Sequence, residues 1–279
     1  MRITQKQHRF GDAVLTHRMA TVSSDTGRRL VCLHGAGVAG VPTWGPMLPD
    51  IDRFDQIWVP DLYGAGDTHH VTGERPFSIP ELLKHLTLCL ADLQWQQFDL
   101  VGYSFGGVLA MELAAAGGFQ ITSSVLIEPA LMEREDWCET QARRRAYVKA
   151  CEPLKHNTSP EQGVTEFLDL VSPNRSKHPR VERRVVSRLA KRPVGLAYAL
   201  ESVNQHAETL DRAALIQAQP DRVLSLVGGR TPPQAHRLHQ QLAQQHAGWH
   251  YQSIEGCDHA LPYQKPQAVA RALNAFFST

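Results

Sequence analysis

Phe98-Asp99-Leu100-Val101-Gly102-Tyr103-Ser104-Phe105-Gly106-Gly107-Val108-Leu109-Ala110-Met111-Glu112-Leu113-Ala114 is the stretch whose reading decides the fold. Its first four residues form a short apolar run of the kind that makes a buried strand. Gly107 onward is rich in Ala and Leu, which favour helix. Between them sits G-x-S-x-G, and strand, G-x-S-x-G, helix is the context of a nucleophile elbow. The two glycines let the chain turn sharply, which leaves Ser104 strained and exposed at a helix N-terminus. Free N–H groups and the helix dipole there favour developing negative charge.

Outward from this stretch, strand-like and helical runs alternate. Residues 14–22 read as one or two opening strands, 29–33 as a buried strand ending at His34-Gly35-Ala36-Gly37, and 56–60 as another. The latter runs into Asp61-Leu62-Tyr63-Gly64-Ala65-Gly66-Asp67-Thr68. Helical spacing follows over 79–93, with Ser78 placed as N-cap and Pro80 in the first turn. Further strands are expected at 124–127, 222–227 and 249–254, with helices at 233–246 and 265–277. The apolar runs are continuous rather than alternating, as in parallel strands covered on both faces. The exception is residues 131–210, polar and helix-prone with no strand signal. The expected organisation is a core of residues 1–130 and 211–279, with 131–210 as a helical cap over the site.

Composition narrows the function. The chain has 279 residues, a net charge of +1 and 20% charged residues, so no strong field points to nucleic acid or an anionic membrane. Arg143-Arg144-Arg145 and the arginines between 180 and 188 are expected to be solvated helix faces. Five scattered cysteines without C-x-x-C argue against a disulfide framework or a zinc site. No apolar stretch is long enough for a spanning helix and the N-terminus lacks a signal-peptide core, so the expected setting is cytoplasmic, without a membrane. No metal and no cofactor are expected. The expected partner is a small-molecule substrate, with a second copy of the chain the one macromolecular partner left open.

A serine hydroxyl needs a base to remove its proton. In an elbow of this kind the base is a histidine late in the chain, on a loop after the last strand. Gly256-Cys257-Asp258-His259 has that address, which makes His259 the expected base. The transition state needs two N–H donors. Phe105 would supply one, and Ala36, in the Gly-rich loop after the first parallel strand, the other.

H-G-x-G after a strand, D-L-x-G-x-G-x-T after the next, G-x-S-x-G, and a late G-x-D-H, in this order, resemble the α/β-hydrolase family over essentially the whole chain. Within it the chain is most similar to cap-bearing esterases, lactonases and carbon–carbon bond hydrolases. The resemblance implies an α/β fold with an eight-stranded, mostly parallel sheet and a Ser/acid/His triad. It implies a structural role for the loop beginning at Asp61.

One departure stands out. The family usually places its acid just after the strand that here is 222–227, yet the sequence there is Gly228-Gly229-Arg230-Thr231-Pro232-Pro233. Asp221 is at the wrong end of that strand, and Asp258 adjoins His259 too closely. Glu128, ending the strand 124–127 between the nucleophile strand and 222–227, is the expected acid, a placement resembling that of some haloalkane dehalogenases in the family. Dehalogenases and epoxide hydrolases themselves need a carboxylate where this chain has Ser104. His34, Trp44, Tyr63 and Tyr103 are the expected pocket residues, with Phe105, suggesting an apolar or aromatic acyl or alcohol group.

The expected activity is a cofactor-free serine hydrolase cleaving an ester, thioester or lactone through an acyl-enzyme. The alternatives are cleavage of a carbon–carbon bond in a dicarbonyl ring-fission product, and a small-ligand-binding homologue without turnover.

Overall fold

The computed structural model describes residues 1–22, 26–156 and 159–278. Its centre is one twisted sheet. The strands are β1 (Arg2–Phe10), β2 (Ala13–Thr21), β3 (Arg29–Leu33), β4 (Gln56–Pro60), β5 (His69–His70), β6 (Gln97–Tyr103), β7 (Gln120–Ile127), β8 (Val223–Gly228) and β9 (Trp249–Ile254). Eight form the path β1-β2-β4-β3-β6-β7-β8-β9, and the two-residue β5 adds a ninth at β2. From β4 to β9 every pairing is parallel, while β1 and β2 are antiparallel. The opening run is therefore the second arm of a hairpin, and β1, polar and exposed, gave no apolar signal.

The helices are α1 (Gly40–Trp44), α2 (Ile79–Asp92), α3 (Phe105–Ala115), α4 (Trp137–Lys155), α5 (Pro160–Val171), α6 (Pro179–Leu189), α7 (Pro193–Thr209), α8 (Arg212–Gln217), α9 (Pro233–Gln245), α10 (Leu261–Gln264) and α11 (Pro266–Phe277). Helix α2 starts as its sequence predicts, with the Ser78 Oγ accepting from Glu81 N–H at 3.2 Å. Helix α3 is buried nearly all round, which explains why it carries no polar stripe.

Between β7 and β8 the described residues form helices and no strand of the sheet; residues 157 and 158 of this interval lie outside the described set. Helices α4 to α7 share an apolar cluster that includes Tyr147, Leu154, Phe167, Leu189 and Leu196. Helix α7 is the strut to the main body, because Ala199, Val203 and Ala207 belong to the core beneath α3. Its N-terminal turn lies directly on the loop after β4. A Cβ added at Gly64 would stand 2.3 Å from the Gly195 carbonyl oxygen, so the two backbones approach as only glycines allow.

No helix among the described residues is long and apolar enough to cross a membrane.

At the other end of the sheet His17 is buried between β1 and β4, 5.1 Å from the His8 ring and edge-on to Trp58. Neither ring nitrogen has a hydrogen-bond partner among the described residues. Burial, helped by His8 and Lys6 and opposed by Asp92, lowers its pKa from 6.5 to about 4. The unfolded chain then binds a proton in this range that the fold does not. The neutral form's stability is intact above pH ~6.5 and falls as pH drops toward ~4, by up to about 3 kcal/mol. Urea unfolding at neutral and acid pH should show this slope, and His17→Phe should flatten it; an unchanged slope removes His17 as its source.

Candidate active site

The elbow has the geometry its sequence implies. Ser104 has φ 50° and ψ −113°, a left-handed backbone that a non-glycine residue adopts only under constraint. The constraint is visible: Ser104 N–H donates to the Ile127 carbonyl at 3.0 Å, and the Ser104 carbonyl accepts from Gly107 and Ala130 N–H. The turn also packs against the β3 end, where a Cβ at Gly106 would stand 2.3 Å from the Leu33 oxygen.

Three side chains converge at the C-terminal edge of the sheet. His259 Nε2 lies 3.1 Å from Ser104 Oγ, and His259 Nδ1 lies 2.7 Å from Glu128 Oε2. With a carboxylate at Nδ1, that nitrogen carries the proton and Nε2 faces the serine hydroxyl as acceptor. Glu128 reaches this place because β7 runs between β6 and β8, and Glu128 N–H extends the ladder to the Leu226 carbonyl at 3.0 Å. Its φ of 41° turns the side chain off the strand line.

The other oxygen of Glu128 is held as firmly. Oε1 accepts from Gly228 N–H at 2.7 Å and from Thr231 Oγ1 at 2.5 Å. Burial alone would raise this carboxyl. The hydrogen bond and charge of His259, with the Thr231 and Gly228 donors, outweigh it and leave the group below its ordinary value. Thr231 stands in the loop after β8, where the resemblance leads one to expect an acid and the sequence has no carboxylate; its hydroxyl donates to Glu128 instead.

Tyr103 steadies the histidine loop. Its hydroxyl donates to the His259 carbonyl at 3.0 Å, and burial pushes the phenol pKa well up, so it stays a donor. Asp258 caps that loop by accepting from Ala260 N–H and Gln264 Nε2 at 3.0 and 2.9 Å.

Ser104 and His259 open onto a cavity of about 600 Å³, within the range of small-molecule sites. Ala36, Phe105 and Tyr103 line it. Neither the Ala36 nor the Phe105 N–H has a backbone acceptor among the described residues, and both residues line the cavity together with Ser104.

Three expected pocket residues do not line it. His34 is fully buried behind the loop: its Nδ1 pairs with the Gly35 carbonyl at 2.7 Å, and its Nε2 accepts from Leu62 N–H at 2.8 Å. Burial lowers its pKa, so it stays the neutral tautomer that these two bonds require. Trp44 lies in the core with Met47, Leu48 and Phe54. Tyr63 packs against Phe77 and bonds to His85 Nδ1. Their neighbouring loop is held by Asp61, which accepts from Gly40 and Asp67 N–H and from Arg18.

Helical residues take their place. Tyr147, Phe167, Leu168, Leu200 and Val203 face the cavity, as do Arg144, Arg180, Arg184 and Arg188. The expectation of solvated faces holds for Arg145, Arg180, Arg183 and Arg184, which are exposed; Arg143 and Arg188 are half-buried, and Arg144 is only 5% exposed. The i, i+4, i+8 spacing of 180, 184 and 188 was the available signal, but not which way that face would turn.

Residues 30–272 match the model of the alpha/beta hydrolase family. A 129-residue stretch is 29% identical to the 2-hydroxy-6-oxo-2,4-heptadienoate hydrolase of Pseudomonas putida, covering 45% of this chain and 46% of that protein. A 113-residue stretch is 30% identical to the pimeloyl-(acyl-carrier protein) methyl ester esterase of Aeromonas hydrophila, covering 40% and 42%. These matches span less than half the length of the two relatives. Among solved structures, MenH from S. aureus is similar with a TM-score of 0.77 over 94% of this chain and 97% of that one. Its 17% identity makes that a likeness of fold. With the family model matching residues 30–272, well over half of the sequence, the chain belongs to the alpha/beta hydrolase family.

Proposed function

We propose that this protein is a serine hydrolase that cleaves a carboxylic ester, thioester or lactone through an acyl-enzyme. The observation that carries the reading is the continuous relay Ser104 Oγ, His259, Glu128, of which Ser104 and His259 line the cavity. Ser104 attacks the carbonyl carbon as His259 Nε2 takes its proton. The Ala36 and Phe105 N–H groups hold the oxyanion. The resulting imidazolium, stabilised by Glu128, gives the proton to the leaving group. His259 then deprotonates water, which attacks the acyl carbonyl and releases Ser104. In this reading residues 131–210 are a cap that walls the site.

The carbon–carbon hydrolase reading is kept because one relative, at 29% identity, is named a 2-hydroxy-6-oxo-2,4-heptadienoate hydrolase. The non-catalytic reading rests on the missing acid, and the Glu128–His259 hydrogen bond at 2.7 Å favours the hydrolase reading over it.

A fluorophosphonate probe should label the protein on Ser104, and His259→Ala should abolish labelling at neutral pH. A panel of p-nitrophenyl esters, thioesters, lactones and a vinylogous 1,5-diketo acid then separates the two chemistries. Labelling elsewhere, or turnover that survives Ser104→Ala, overturns the serine-hydrolase reading.

A further inference from the structure

Helix α6 turns three arginines toward the cavity. Arg180, Arg184 and Arg188 recur every fourth residue, so they share one face and run about 12 Å along it at the helical rise. Among the described residues none of the three has a carboxylate within 4.0 Å; Arg143, Arg145 and Arg183 share that state, whereas Arg134, Arg144, Arg175 and Arg192 are paired. Arg175 meets Asp169 and Glu182, and Arg192 meets Glu74. Glu182, the acidic residue of α6, is thus engaged with Arg175 and supplies no counter-charge to the stripe.

One end of the stripe is linked to the reacting groups through two tyrosine rings. The Arg188 guanidinium lies over the Tyr263 ring, 5.3 Å from its centroid. Tyr263 stands edge-on to Tyr103 at 6.0 Å, and Tyr103 lies 5.4 Å from the His259 ring. Leu189 packs on the loop that carries Ala36: a Cβ added at Gly37 would stand 2.9 Å from Leu189 Cδ2.

A fourth guanidinium comes from deeper in the wall. Arg144 lines the cavity at 5% exposure, pairs with Glu133, and has an Nε without a hydrogen-bond partner among the described residues. A buried charged donor left unmade is costly, and a ligand acceptor would satisfy it. The same cavity is lined by apolar side chains, among them Val38, Leu168 and Val203.

We propose that the substrate is an anion: a short apolar chain whose carbonyl lies at Ser104 and whose carboxylate or phosphate is held by Arg144, Arg184 and Arg188. The inference rests on the hydrolase reading above and names its substrate class. Guanidinium is suited to both groups because its planar fork can bind them through two N–H donors. Unpaired positive charge at the mouth of a low-dielectric cavity also draws anions in.

The test compares matched substrates. Mono-p-nitrophenyl adipate against p-nitrophenyl hexanoate differs in a carboxylate on the acyl group. Hexanoyl-coenzyme A against hexanoyl-pantetheine differs in the phosphates, with the adenosine they carry, on the leaving group. One anionic member should be preferred in kcat/KM by at least about tenfold at low salt, and the preference should shrink near 0.5 M salt. The R184Q/R188Q variant should bring the ratio within threefold, and the pair that responds identifies the source of the anion. In parallel, adipate and coenzyme A are titrated calorimetrically into Ser104→Ala, where adding R184Q/R188Q should weaken one of them at least tenfold. Ser104-dependent turnover with no anionic preference overturns the anion site and leaves the hydrolase standing. No Ser104-dependent turnover at all overturns the hydrolase reading, and the titration alone then decides the anion site. Binding of neither anion, or binding indifferent to the arginines, overturns it.

Discussion

Ser104→Ala and His259→Ala should each lower kcat on the best ester by several orders of magnitude, on the order of 10⁶ in the best-studied serine hydrolases. The double variant should lose no more than either single one. The reason is geometric: with Nε2 at 3.1 Å from Oγ, the two groups act as one proton-transferring unit, so removing either disables both. Residual activity should come from the Ala36 and Phe105 donors and from substrate binding. Single and double variants need only steady-state kinetics beside circular dichroism to check folding. Losses that multiply in the double variant would mean that the two residues act independently, which the proposed mechanism does not allow.

Glu128→Gln is the second large effect, with kcat expected to fall by between about 10² and 10⁴. The amide keeps the shape of the carboxylate but removes the charge that stabilises the imidazolium, and its NH₂ can force the wrong histidine tautomer. Asp221→Asn should be nearly silent, since Asp221 lies just before β8, at the end of the strand away from the site. A transplant gives a sharper version. Thr231 Oγ1 already lies 2.5 Å from Glu128 Oε1, so Glu128→Ala combined with Thr231→Asp puts a carboxylate beside the vacated place. That double variant should recover part of what Glu128→Ala alone loses. If Glu128→Gln stays within threefold of the parent, the acid comes from elsewhere and His259 works without it.

Both experiments probe residues that sequence reasoning could locate, and the reason is local. A strand–turn–helix around Ser104, a loop after the last strand ending at His259, and a strand ending at Glu128 are written in consecutive residues. Turn chemistry and apolar runs specify such features, and the order of parallel strands then decides which ends are neighbours. The pairing of β7 between β6 and β8 turned three distant positions into one hydrogen-bonded line. The role of Thr231 was not legible, because a hydroxyl has no motif; it acquires meaning only when Glu128 arrives from the adjacent strand.

The wall of the cavity was legible least. His34, Trp44 and Tyr63 sit next to site loops in sequence, yet each side chain turns into the body of the protein, where burial or a hydrogen bond to backbone or His85 holds it. Arg144, Arg180, Arg184 and Arg188 lie far along the chain and read as solvated helix faces; Arg180 and Arg184 are indeed exposed, but all four also line the cavity, and Arg144 is buried. Helix periodicity says which residues share a face and nothing of where that face points. For α6 that was decided by Leu189 seating against Gly37 and by the apolar cluster it forms with Tyr147, Phe167 and Leu196. The sequence by itself determined the family, the elbow and the strand ends that carry Ser104, Glu128 and His259. Only the packing of α4 to α7 over those ends decided what the cavity is made of, because a helix acquires an inside from its neighbours.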